Sequence, residues 1–220
     1  MTVRLAVFDC DGTLVDGQAA ICNSMESAFA SAGLPAPDRH DVRRIVGLSL
    51  PQAIRILAPD AEEARQVHAV DAYKAAFRAC RLDGTLEEPL FDGIADVIAK
   101  LGERGWTLGV ATGKSDRGLA SCLAAHSIAD RFVTLQTADR HPSKPHPAML
   151  EAALVEAGAH AADSVMIGDT TFDMDMARAA GVRAIGVAWG YHAADELIRA
   201  GAHHIADHPR DILEFMRAWA

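Results

Sequence analysis

No apolar run in this 220-residue chain approaches the roughly 20 residues that a membrane helix requires. Its first residues, Met1-Thr2-Val3-Arg4-Leu5, lead into a strand pattern with neither the apolar stretch nor the cleavage site of a signal peptide. Cysteine is sparse. Cys10, Cys22, Cys80 and Cys122 make no CxxC pair and are too few for a disulfide scaffold, which points to reduced thiols and a cytoplasmic setting. Positive charge is in deficit too: a formal net charge of −9 argues against nucleic acid, whose binding rests on Lys and Arg at phosphates. A small phosphate stays within reach if a metal or a local cluster of cations supplies the charge. Repeats and low-complexity tracts are absent as well. The composition that remains is that of a globular protein long enough for one core, or for a core plus a smaller lobe.

Short apolar runs alternate with longer helical patterns. Strands are expected at Arg4–Phe8, Thr107–Ala111, Phe132–Leu135, Ser164–Ile167, Ala184–Ala188 and, more weakly, His204–Ala206. Helices are expected at Gly93–Glu103, Asp116–Ala125, Pro147–Ala157, Phe172–Ala180, Ala194–Ala200 and Arg210–Trp219, with Gly102, Gly105, Gly158 and Gly181 where helices should stop. This alternation predicts an α/β fold with a doubly wound, Rossmann-like parallel sheet. Residues 16–87 break the rhythm: they hold helical segments at Ala19–Ser31, Arg39–Val46, Leu50–Leu57 and Ala61–Cys80, punctuated by Pro35, Pro37, Pro51 and Pro59. About 70 residues without a strand are too many for one crossover. The expectation is a core of residues 1–15 and 88–220 with a helical lobe, 16–87, inserted where its first strand ends.

Four places carry polar chemistry. The strongest is Asp9-Cys10-Asp11-Gly12-Thr13, where an apolar strand breaks into a turn. Ligands bind open α/β sheets at the carboxyl ends of strands, and paired Asp residues there suit a hard cation such as Mg²⁺, a nucleophile and a proton carrier. The second is Thr112-Gly113-Lys114-Ser115, a hydroxyl and backbone N–H groups at a helix start, suited to an anion; on local sequence Thr112 reads equally as a helix N-cap. Gly109 to Ser115 looks like a P-loop but is one residue short between its glycines, and is read as a decoy. The third is Ser143-Lys144-Pro145-His146-Pro147, where two prolines stiffen the loop that bears Lys144; the alternative is a solvated lysine. His141 and His146 beside it lack zinc-site spacing and read as exposed. The fourth is Gly168-Asp169-Thr170-Thr171-Phe172-Asp173, whose two acids lie one helical turn apart. Asp169 would complete a metal site with Asp9, and Asp173 would orient a metal-bound water or pair with Lys144.

In this order the four resemble the motifs of the haloacid dehalogenase superfamily of phosphohydrolases, in the branch with a helical cap after the first motif. The nearest subgroup resembles the phosphoglycolate phosphatases, in which FDxDGTLVDS is usual; Gly17 replaces that Ser. The resemblance implies that Asp9 attacks phosphorus and forms an aspartyl-phosphate. Asp11 would move protons and bind Mg²⁺ through its backbone carbonyl, alongside Asp9 and Asp169. Thr112, Gly113 and Lys144 would hold the substrate phosphate, and Asp173 would support them. Asp11 separates the chain from dehalogenases, which lack the second acid. Lys74, the one lysine of the lobe, lacks the context of a Schiff-base lysine. A small phosphomonoester is the expected substrate, handled by a monomer or homodimer, with pyrophosphatase, nucleotidase and β-phosphoglucomutase-like phosphomutase as alternatives and a non-catalytic binding protein behind them. Arg43, Arg44 and Ser49 are candidates for contact with the substrate's far end, but a solvated helix turn explains them equally and no site role is assigned.

Overall fold

The computed structural model describes residues 2–219. Six strands form one parallel sheet: β1 (Arg4–Phe8), β2 (Trp106–Thr112), β3 (Thr134–Thr137), β4 (Ser164–Gly168), β5 (Arg183–Val187) and β6 (His204–Ala206), in the order β3-β2-β1-β4-β5-β6. β1 is central, in register with β2 through Phe8↔Val110 and with β4 through Phe8↔Ile167. The strand order reverses direction at β1, so a crevice opens beyond its carboxyl end, where Asp9 follows.

Both faces of the sheet are covered, which is why β1, β4 and β5 are mostly apolar rather than alternating with polar residues. Leu5 and Val7 point to one side, against Met149, Leu150 and Ala153 of α7 (Ala148–Ala157), Met174 and Ala177 of α8 (Thr171–Ala179), and Leu197 of α9 (Ala194–Ala200). Ala6 and Phe8 point to the other, against α5 (Ile94–Glu103), α6 (Asp116–Ala125) and α10 (Pro209–Arg217).

Between β1 and α5 lie four helices: α1 (Gln18–Ser31), α2 (Arg39–Arg44), α3 (Leu50–Leu57) and α4 (Glu63–Leu82). They carry a hydrophobic cluster of their own, including Ile21, Met25, Phe29, Val42, Ile54 and Ala69. The chain leaves the sheet after Val15 and returns at Leu90, which bridges back to Val15.

Several expected boundaries move. β3 starts two residues later than Phe132, because Phe132 packs its ring edge-on against Phe8 (centroids 6.4 Å apart) while the ladder with β2 begins at Thr134. α2 stops at Arg44, where Ile45 caps it, and α4 runs from Glu63 to Leu82 rather than from Ala61 to Cys80. Gly102 lies inside α5, and the left-handed residue that follows is Gly105, at φ +75°. Gly158 and Gly181 do end their helices, at φ +65° and +67°.

Candidate active site

Asp9 follows the last residue of β1 and is fully buried. Its Oδ1 lies 2.8 Å from the Lys144 ammonium, whereas Oδ2 is buried with no donor among the described residues. Lys144 also bonds Asp173 Oδ1 at 2.7 Å, and neither side chain of that pair reaches solvent. The lysine is therefore not the solvated one that its loop position left open: two-thirds of the way along the chain, it returns beneath the first motif as the cation of a buried triad. Asp173 is held in turn. Its Oδ2 accepts from the backbone N–H (3.1 Å) and hydroxyl (2.7 Å) of Thr170, the N-cap of α8.

Asp169 directly follows β4. Thr13 donates its hydroxyl to Oδ1 at 2.7 Å and the Tyr191 N–H donates to Oδ2 at 3.0 Å. Gly12, at φ +85°, is required here: a side chain would collide with Asp169 Oδ2 and the Tyr191 ring. Asp9, Asp169 and Asp173 each bring a carboxylate oxygen within 4.8 Å of the others. Three buried carboxylates share a single ammonium, so the cluster is short of positive charge. Burial pushes the Asp9 carboxyl up to about 7, against the pull of Lys144 and with the push of Asp173 and Asp11. Burial, with Asp9 and Asp173 adding to it, holds Asp169 well above the carboxylate range. All-oxygen donors, the orphaned Asp9 Oδ2 and excess negative charge fit a hard divalent cation. Asp173, with both oxygens engaged, serves to fix Lys144.

Asp11 points elsewhere. Its side chain is outside the three-acid cluster, and its Oδ1 meets the Lys114 ammonium at 2.9 Å. Thr112 closes β2, buried, and accepts from the Lys114 N–H at 3.2 Å. It is not the N-cap of α6, a place taken by Ser115. Gly113 lies against the helical insertion, where an added Cβ would stand 2.5 Å from the Leu48 carbonyl oxygen.

The insertion closes over this edge. Arg44 makes two bonds to Glu196 (2.7 and 2.8 Å), its carbonyl meets His192 Nε2 at 3.1 Å, and the Ser49 N–H donates to Ser143 Oγ at 2.8 Å. Arg44 and Ser49 thus fasten the insertion to α9 and to the loops that bear Ser143 and His192. His146 is exposed as expected, but His141 is half-buried and bonded to Gln136 at 2.7 Å. Lys74 is exposed on α4.

Residues 6–187 match the family profile described as haloacid dehalogenase-like hydrolase. The chain belongs to that family. It is 39% identical to the probable phosphatase IndB of Dickeya dadantii over 92% of this chain and 89% of that protein. It is 34% identical to a 5'-nucleotidase of Pseudomonas aeruginosa over 91% and 90%. Relatives at 25% to 29% identity are phosphoglycolate phosphatases. Among solved structures, a haloacid dehalogenase-like family hydrolase of Streptococcus pneumoniae superposes with a TM-score of 0.84 at 26% identity, over 97% of this chain and 98% of that one.

Three residues at the site of this haloacid dehalogenase-like hydrolase carry no sequence signal of their role. Lys114, dismissed with the P-loop resemblance, is a buried partner of Asp11, and Glu88, unremarked in the returning segment, meets Lys114 at 2.6 Å. Tyr191 also closes the site from the loop after β5, and nothing in its local sequence marks it. No helix among the described residues is long and apolar enough to cross a membrane.

Proposed function

We propose that this hydrolase is a phosphatase that cleaves a small phosphomonoester through an aspartyl-phosphate on Asp9, with Mg²⁺ held by Asp9, Asp169 and the Asp11 carbonyl. The reading rests on Asp9 at the central strand's end: one carboxylate oxygen is fixed by Lys144 and the other is buried without a donor. A carboxylate so placed has one oxygen to present to phosphorus, while the fixed oxygen sets its direction. Bound Mg²⁺ would supply charge that offsets the phosphoryl oxygens. Lys144, the Thr112 hydroxyl and the Gly113 N–H would hold the phosphate. Asp11 would give its proton to the leaving oxygen, then take one from the water that opens the aspartyl-phosphate. Residues 16–87 would form a cap that shuts solvent out and chooses the substrate, and the rest of the chain the core.

Release of p-nitrophenolate from p-nitrophenyl phosphate with Mg²⁺ tests the reading. Activity is expected to need the metal and to vanish in Asp9→Asn; turnover that survives either change would sink it. Phosphoglycolate is the first substrate to try. The 34% identity with a 5'-nucleotidase favours nucleoside monophosphates as the second. Phosphate release across a panel that also holds pyrophosphate and β-glucose 1-phosphate ranks these classes, and a mutase would convert the sugar phosphate with little net release.

A further inference from the structure

The residue proposed to move protons, Asp11, is held at a junction of separate chain segments. The Lys114 ammonium, from the loop after β2, lies 2.9 Å from Asp11 Oδ1 and 2.6 Å from Glu88 Oε1, and these three side chains are 8%, 12% and 7% exposed. Among the described residues, Asp11 Oδ1 has no other polar partner. Lys114 also sits 5.4 Å from the ring centre of Phe77 on α4, so the insertion packs on the cation from above. Gly17, on the outgoing connection, offers no side chain: a Cβ there would stand 3.1 Å from Asp11 Oδ1 and 3.5 Å from Glu88 Oε1. Orientation of the Asp11 carboxylate therefore falls to Lys114.

We propose that Lys114 is a positioning residue for Asp11, fixing the carboxylate in the pose that reaches the leaving oxygen, and that Glu88 fixes Lys114. Lysine has four rotatable bonds and holds no direction by itself. A second carboxylate on the far side of the ammonium, with an aromatic face above it, confines it to one place. The cation bound between two carboxylates is also satisfied before substrate arrives, which separates it from Lys144, whose acidic partners belong to the metal cluster.

This inference rests on the aspartyl-phosphate reading, and leaving-group dependence separates the two. An alkyl oxygen needs a proton to depart, whereas p-nitrophenolate leaves without one. Glycerol phosphate and p-nitrophenyl phosphate are compared in the first turnover with Mg²⁺, in wild type, Lys114→Met, Lys114→Arg and Glu88→Gln. Lys114→Met is expected to lose about 100-fold in kcat on glycerol phosphate with little change in the p-nitrophenolate burst, a size typical of general acid catalysis. Glu88→Gln, which keeps shape and spares the fold if Lys114→Met does not, should lose in the same direction, and Lys114→Arg should recover part of the loss. Equal losses on both esters, or a raised KM with kcat unchanged, would overturn the proposal and leave the phosphatase reading standing. A wild-type chain inactive on every phosphomonoester would overturn both.

Discussion

Lys144 Nζ lies 2.8 Å from Asp9 Oδ1, and neither side chain is open to solvent. The lysine is raised above its ordinary range because Asp173 and Asp9 outweigh the burial that works against its charge. Removing a partner from a buried pair leaves the other charge stranded. Lys144→Met is therefore expected to destabilise the fold by about 3–5 kcal/mol, measured by urea denaturation, and to abolish turnover even where the protein remains folded. A variant with wild-type stability would show that the pair is not buried in solution.

The Asp9 carboxyl, pushed up to about 7 by burial, makes cation binding a competition with protons. Only the ionised carboxylate is a ligand. As pH falls below 7, Mg²⁺ affinity should drop by at least about tenfold per pH unit. At pH 6 binding should release close to one proton per cation from Asp9, together with any that Asp169, also raised by burial, still holds. Calorimetric titration in two buffers of different ionisation enthalpy measures that count, and no release at pH 6 would contradict the assignment.

The sequence carried the sheet and the four motif positions because both are local: an apolar run ending in Asp-x-Asp-Gly, or in Gly-Asp, marks a strand and its carboxyl end within a few residues. What it did not carry lies in contacts between distant segments. Nothing around Lys144 marks it as buried, because its partners Asp9 and Asp173 come from the end of β1 and the first turn of α8. Glu88 sits in a segment with no period of its own, and its worth appears only once Lys114 is brought against it. The late start of β3 has a similar origin, since Phe132 is apolar for the sake of Phe8 and not for a strand ladder.

Gly113 is the point where the insertion rests on the sheet. A methyl there would stand 2.5 Å from the Leu48 carbonyl oxygen and 2.7 Å from that of Gly47, both backbone atoms that cannot rotate away. Gly113→Ala should force residues 47–48 off the loop at a cost of about 1–3 kcal/mol, the usual range for overpacking. Hydrogen exchange is expected to rise across residues 45–50 and kcat/KM to fall, while the sheet keeps its protection. Unchanged exchange in that segment would mean that the two surfaces part freely.

The bonds from Arg44 to Glu196 and His192 hold the same closure from the other side, and they answer to acid. Hydrogen bonds from Arg44 and the Ala193 N–H hold the Glu196 carboxyl down at about 2. Its contribution is thus complete above the ordinary 4.5 and fades as pH falls toward 2. Burial lowers His192, whose Nδ1 accepts the Thr171 N–H at 3.0 Å; only the neutral ring can do so, and the proton on Nε2 is then donated to the Arg44 carbonyl. That contribution also disappears as pH drops, and it goes before the one from Glu196. With Arg44 and Glu196 about one-third exposed (34% and 28%), solvent screens the pair, so Glu196→Gln should cost only about 0.5–1 kcal/mol of global stability. Its effect should be local: faster exchange over residues 39–49 at neutral pH than in wild type. Equal exchange in the two proteins at neutral pH would show that Arg44 does not hold the insertion down.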